Sequence, residues 1–163
     1  MITPTCFALF CEDIRRETGN RDTIIGVLPA LTRLSKIPGE FRRFSTYFRI
    51  RLPLDHDLKN RVFITIEADG VSDAQIEDDG GLPDDILQQA IDKAKERNAP
   101  FVEVIARLRL DDFPIIGSGQ IRAIAIVGGE RLVGGFVNVE VRAPDSNTPS
   151  AGSEPVIEPA QQR

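Results

Sequence analysis

The stretch that most limits what this chain can become runs from Arg42 to Leu52. Phe44, Thr46, Phe48, Ile50 and Leu52 occupy alternate positions, and Arg43, Ser45, Tyr47, Arg49 and Arg51 fill the places between. A strand points successive side chains to opposite faces, so this alternation predicts one face in a core and one in water. The pattern repeats. In 61–68, Val62, Ile64, Ile66 and Ala68 alternate with Phe63, Thr65 and Glu67. In 102–110, Val102, Val104, Ala106, Leu108 and Leu110 oppose Glu103, Arg107 and Arg109. Strands are also expected at 120–127 and 132–141, joined through Gly128-Gly129-Glu130-Arg131 as a hairpin. Such a series of strands implies an all-β chain.

One segment breaks the period. Leu87, Ala90, Ile91 and Ala94 lie at i, i+3, i+4 and i+7, the apolar stripe of a helix. Pro83, Asp84 and Asp85 suit its start; Lys93, Lys95 and Arg97, then Asn98 and Pro100, suit its end. The helix is expected near 84–98. In 120–127, Ile124 and Ile126 lie opposite the face of Ile121, Ala123, Ala125 and Val127, so both sides need cover, and the helix is the expected cover for the second. Residues 28–40, with Pro29 and Pro38-Gly39, read as the end of a strand and then a loop, and 111–119, with Pro114, as a loop.

The opening, Cys6 to Cys11, is continuously apolar. A helix is possible there, but Glu12 to Glu17 does not extend an apolar helical stripe; a strand covered on both faces is the better reading. Gly19-Asn20 then supplies a reversing turn, and Thr23 to Val27 a returning strand. Phe10-Cys11-x-Asp13-Ile14-Arg15-x-Glu17, followed by Gly19-Asn20 and Ile24-Ile25-Gly26-Val27, resembles the start of a family of short, uncharacterised bacterial proteins of unknown function. The likeness covers about the first thirty residues and, more loosely, the hairpin in Gly119 to Val141. It implies a small immunoglobulin-like β-sandwich with no assigned activity. The middle, Glu67 to Asn98, departs from it. With the strands above, the expected fold is an immunoglobulin-like sandwich of about seven antiparallel strands with one inserted helix, spanning 1–143. Residues 144–163 hold four prolines and little apolar beyond Val156 and Ile157, and are expected to be a disordered tail.

Chemistry is sparse. His56 is the only histidine and sits between Asp55 and Asp57 in a polar turn, so no nucleophile–base–orienter set is apparent and no catalytic residue is assigned. Glu67 to Asp85 carries eight acids and no base. Glu67, Asp69, Asp73, Glu77, Asp78 and Asp79 offer oxygen ligands for calcium, but the spacing fits no EF-hand and a solvated loop is the plainer reading. Gly117-Ser118-Gly119 and Gly134-Gly135 fit neither phosphate-binding glycine motif. Cys6 and Cys11, roughly 16 Å apart in one extended strand, cannot pair and read as small buried hydrophobes suited to a reducing cytoplasm. No metal or cofactor is called for.

The remaining candidate is Arg43, Tyr47, Arg49 and Arg51 on the wet face of one strand. Arginine beside an aromatic ring can grip a carboxylate or phosphate, though cross-strand ion pairs on an ordinary sheet face explain the same pattern. A formal charge of −5 disfavours nucleic acid, and no apolar run is long enough to cross a bilayer as a helix. The expectation is a non-catalytic binding or assembly module whose partner is another protein or an anionic ligand. A ligand or metal sensor using 67–85 is the alternative, and an enzyme with an unfamiliar site a third class; oligomeric state is not legible.

Overall fold

The computed structural model describes residues 3–19, 21–57, 61–74, 76–77 and 81–141. The expected tail at 144–163, and Asn20, Asp78, Asp79 and Gly80 of the expected turn and acidic loop, lie outside the described residues. Nine strands and one helix appear among those described: β1 (Thr5–Glu17), β2 (Arg21–Val27), β3 (Leu31–Leu34), β4 (Gly39–Leu52), β5 (Val62–Glu67), β6 (Ile76–Glu77), α1 (Asp84–Glu96), β7 (Val102–Ile115), β8 (Gly119–Val127) and β9 (Glu130–Val141). They form two sheets. Sheet A has the order β2-β1-β4-β7 and sheet B the order β3-β9-β8-β5-β6. The mostly-β, sandwich-like class is therefore as expected.

β4 justifies its place as the organising strand. Phe44, Phe48, Ile50 and Leu52 are fully buried. Phe44 stacks with Phe10, Phe41 and Phe113 at ring-centroid distances of 5.3, 5.4 and 5.0 Å. Such offset aromatic contacts add to the area they bury. β1 and β7 flank β4 in antiparallel register, giving three-strand rungs such as Phe7, Arg49 and Ile105.

Two glycine pairs shape the far side. Gly128 and Gly129, at φ 59° and 83°, form the two-residue β8–β9 turn, where positive φ matches the strand twist. Gly134 and Gly135 sit where the β8–β9 register shifts. A side chain at Gly134 would strike Cys6 Sγ at 2.6 Å, and one at Gly135 the Ala8 carbonyl oxygen at 2.5 Å. Their bareness lets β9 cross directly against β1 and join the two sheets there.

Four expectations change. Residues 31–34, read as loop, form β3, which pairs parallel with β9 through Leu31–Asn138 to Leu34–Val141. Together with β6 this makes nine strands where about seven were expected, and not all pairs are antiparallel. Asp111 to Ile115, also read as loop, continues β7; the inward set shifts from even to odd positions at Asp112, whose φ is 54°, so that Phe113 and Ile115 are buried.

The helix forms where expected, with Asp84 and Asp85 in its first turn and Lys93 and Lys95 in its last. Leu87, Ile91 and Ala94 are buried and Ala90 half-buried, but the helix packs on β7, not over β8. Ile124 is covered differently. Its rung, Thr65–Ile124–Val133, lies between the rung of Arg131 and that of Glu67. The ion pair joining Arg131 to Glu67 therefore passes over Ile124, and Arg122 joins the same carboxylate at 3.2 Å. Long arginine stems shield apolar surface while their heads stay wet, so Ile124 is fully buried on a sheet's outer side.

Candidate binding face

The outer face of sheet A carries the residues singled out from sequence. Arg43, Tyr47, Arg49 and Arg51 all project opposite to the buried Phe44, Phe48, Ile50 and Leu52, but they do not form one stripe. Asp22 explains the break. The sheet order places β1 and β4 between β2 and β7, yet Asp22 accepts two hydrogen bonds from Arg107 of β7, at 2.8 Å from Nε and 2.6 Å from Nη2. That contact requires the tip of the β1–β2 hairpin to curl over the outer face. The Asp22 side chain keeps 5 % of its exposure.

Tyr47, in the same rung as Arg107, is half-buried, and its phenol is pushed up by loss of solvent first and by the Asp22 charge second. Ser45 is buried beside it; its hydroxyl donates to the Glu12 carbonyl at 3.5 Å, and its own carbonyl accepts from the Cys11 thiol at 3.6 Å. Arg43 is thus isolated on one side of the hairpin, and Arg49 and Arg51 stay open on the other.

Arg49 and Arg51 share one carboxylate. Arg49 Nη2 donates to Glu103 Oε2 at 2.7 Å and Arg51 Nε to Oε1 at 3.3 Å. Arg49 above all, then Arg51, holds the Glu103 carboxyl below its ordinary range against the opposing effect of burial. The Arg51 guanidinium also lies 4.6 Å from the centroid of the Phe101 ring. Two cations on one anion leave a local excess of one positive charge. A guanidinium has five N–H donors, and the bonds described use one on each arginine, leaving donors for an incoming carboxylate.

Sequence reasoning missed the apolar half of this surface. Phe7 and Ile105 stand on either side of Arg49 in one rung, 50 % and 37 % exposed. The opening apolar run was expected to be covered on both faces; Leu9 and Cys11 are sheltered, but Phe7 is not. The signal was present: Ile105 is the apolar residue at an outward position of β7. Glu103 also borders a groove between α1 and β7 lined by Ile86, Ala90, Lys93, Arg97 and Phe101, so apolar and basic surface continues around the edge of the sheet.

The other candidates gather no chemistry. Glu67 and Asp69 are bound by Arg122 and Arg131, and the backbone after them docks on the β7–β8 connection, where Ile116 N–H donates to the Val71 carbonyl at 2.7 Å. Among the described residues no group of three His, Cys, Asp or Glu side chains is placed to hold a metal. His56 lies in the turn after β4, its backbone N–H donating to Pro53 at 3.2 Å. Both thiols are free, and burial raises each to about 11, which keeps them protonated and weakly nucleophilic near neutral pH. No described helix is long and apolar enough to cross a membrane. Compared with protein-family models, curated proteins and solved structures, the chain matches none of them.

Proposed function

We propose that this protein is a non-catalytic binding module that takes an extended, acidic and apolar polypeptide segment on the outer face of sheet A. The observation that carries the reading is the Phe7–Arg49–Ile105 rung. It presents two large exposed apolar side chains around a guanidinium with unused donors. Exposed apolar surface rimmed by charge is the usual mark of an interaction site, and arginine recognises carboxylates through its planar fork. The immunoglobulin-like reading is kept as part of the proposal. The adjacency β5-β8-β9 corresponds to strands C, F and G of that fold and β1-β4-β7 to A, B and E, with α1 in the place of D. The resemblance of the opening to the bacterial family bears on that fold and leaves the activity open.

The test is selection of extended peptides from a random display library on the immobilised full chain. Enriched peptides should pair Asp or Glu with aliphatic residues. Their binding should fall at least tenfold in an Arg49→Ser, Arg51→Ser double variant and again in Phe7→Ser, and should weaken as salt rises. Enrichment that survives all three changes would place the site elsewhere.

A further inference from the structure

The outer face of sheet B differs from that of sheet A and suits a different occupant. β9 meets β8 with a shift in register: Gly135 lies opposite Ala123 and Val133 opposite Ile124, so Gly134 is the extra residue. The shift brings Phe136, opposite Arg122, and Val133 into neighbouring rungs on one side, roughly 7 Å apart. Three positions apart in an unbroken strand, they would point to opposite faces. A side chain at Gly134 would strike Cys6 Sγ, so the same bare residue seats β9 on β1 and builds this apolar pair. Val133 and Phe136 are each 50 % exposed. Half-buried Leu31, Ile126 and Phe63 extend the apolar surface onto β3, β8 and β5.

The charges around the pair are matched within the chain. Arg33 meets Glu140 at 3.3 Å, Arg122 is shared between Glu67 and Asp69, and Arg131 holds Glu67. Three arginines are thus set against three carboxylates. On sheet A, Arg49 and Arg51 share one glutamate and leave a positive excess, which repels a second copy of the same surface. A two-fold contact sets one patch against itself and needs a surface complementary to itself. The outer face of sheet B is apolar at its centre and balanced in sign around it. Its extent sets the strength. The face spans four strands, β3, β9, β8 and β5, and five outward positions of β9 from Glu140 to Arg131. At about 4.8 Å between strands and about 7 Å between outward positions, one copy offers roughly 500–650 Å². Two copies bury roughly 1,000–1,300 Å², the low end for a specific interface. We infer that the outer face of sheet B packs against the same face of a second copy of this chain, on a two-fold axis at Val133 and Phe136, as a reversible dimer. Both sheet A faces then point outward, and the dimer presents the binding face twice.

The experiment is sedimentation equilibrium of the full chain from about 1 to 500 μM, a range that brackets a micromolar Kd. The mass should rise from that of one chain to that of two and stop there. Phe136→Ser should weaken the association at least tenfold, and Phe7→Ser should leave it unchanged. Raising the salt should change it little, because the charges on this face are neutralised within each chain. A single-chain mass throughout, or a mass that climbs past two chains, overturns the inference. So does an association lost in Phe7→Ser, since the copies then meet through sheet A, or one that survives Phe136→Ser, since they then meet elsewhere. Steep weakening with salt also overturns it, because charge and not the apolar pair would hold the copies together. A charge swap gives a second reading that does not depend on how Phe136→Ser folds. Val133→Lys and Val133→Glu each set like charges near one another across the axis, and each alone should associate at least tenfold more weakly than the parent. Their equimolar mixture should regain the two-chain mass. A mixture no better than its components overturns the two-fold arrangement.

Discussion

Each sheet turns an arginine-rich face to solvent, and the two faces use the same residue types to opposite ends. On sheet B, Arg122 and Arg131 converge on Glu67, and Arg122 also holds Asp69. The pairs run diagonally across strands and close over Ile124, which is fully buried. On sheet A, Arg49 and Arg51 meet Glu103 from neighbouring positions on one strand, so the pairs run beside the apolar residues and cover neither. Phe7 and Ile105 stay exposed. Ion pairing alone therefore does not tell a sealed face from an available one. The direction of the pair relative to the apolar rung does. Sheet B has its own exposed residues, Val133 and Phe136, and the Arg122 facing Phe136 is shared between two carboxylates, Glu67 and Asp69, where Arg49 and Arg51 together meet one.

The strongest way to break the comparison is one truncation made on each face. Ile124→Ala should cost about 2–3 kcal/mol, the lower part of the range for a fully buried isoleucine, because the arginine stems above can settle into the space. Ile105→Ala should cost under about 1 kcal/mol, since its side chain already meets water. Urea denaturation of both variants, with unchanged slopes, measures the difference. Equal losses would mean that Ile105 is packed and the sheet A face is not available.

How much of this could be read from the chain depends on whether the signal was local. The parity of Arg42 to Leu52 and the stripe Leu87, Ile91, Ala94 are local, and both place their residues correctly. The pairing of β3 with β9 joins residues more than a hundred positions apart, and four residues between two prolines carry no pattern that announces it. Asp111 to Ile115 read as a loop because two acids and a proline outweighed Phe113 and Ile115 in the count, and these two fall out of phase with the inward residues Val102 to Leu110. For the site, one strand's alternation correctly set Arg43, Tyr47, Arg49 and Arg51 on one face. It had no means of foreseeing that a hairpin tip would curl over the face to reach Arg107, past the two strands between, and divide them. Phe7 was misread for a sounder reason. A continuous apolar run does call for cover on both faces, and on the described chain that demand is unmet at one residue.

The next contrast is between the two carboxylates. Glu67→Ala should cost more than Glu103→Ala, because it releases Arg131 from over a buried isoleucine, leaves Arg122 on Asp69 alone and opens Ile124 to water. The expected losses are about 1–2 kcal/mol against under 1 kcal/mol, the second being an exposed pair of ordinary strength. In an Ile124→Ala background the cost of Glu67→Ala should shrink, because the lid then covers less; Glu103→Ala should add independently in that background. Full additivity at both positions would show that the sheet B pairs do not act through Ile124.

The smallest effect separates charge from packing at the open face. Arg49 and Arg51 hold the Glu103 carboxyl below its ordinary value of 4.5, so folding favours the ionised form. A depressed acid contributes stability that is present above its unfolded value and is lost as the pH falls through the folded one. Glu103→Gln keeps the shape and removes the charge. At pH 7 it should be less stable than the parent by under about 1 kcal/mol, since both arginines are close to half exposed and screened by water. As the pH drops below 4.5 the parent's advantage should fade, and in strongly acidic solution the two should unfold at the same urea concentration. A gap of constant size across that range would trace the loss to hydrogen-bond geometry, and Glu103 would then hold Arg49 in place without tuning its charge. In that event Glu103→Gln should also leave the salt dependence of peptide binding at this face unchanged.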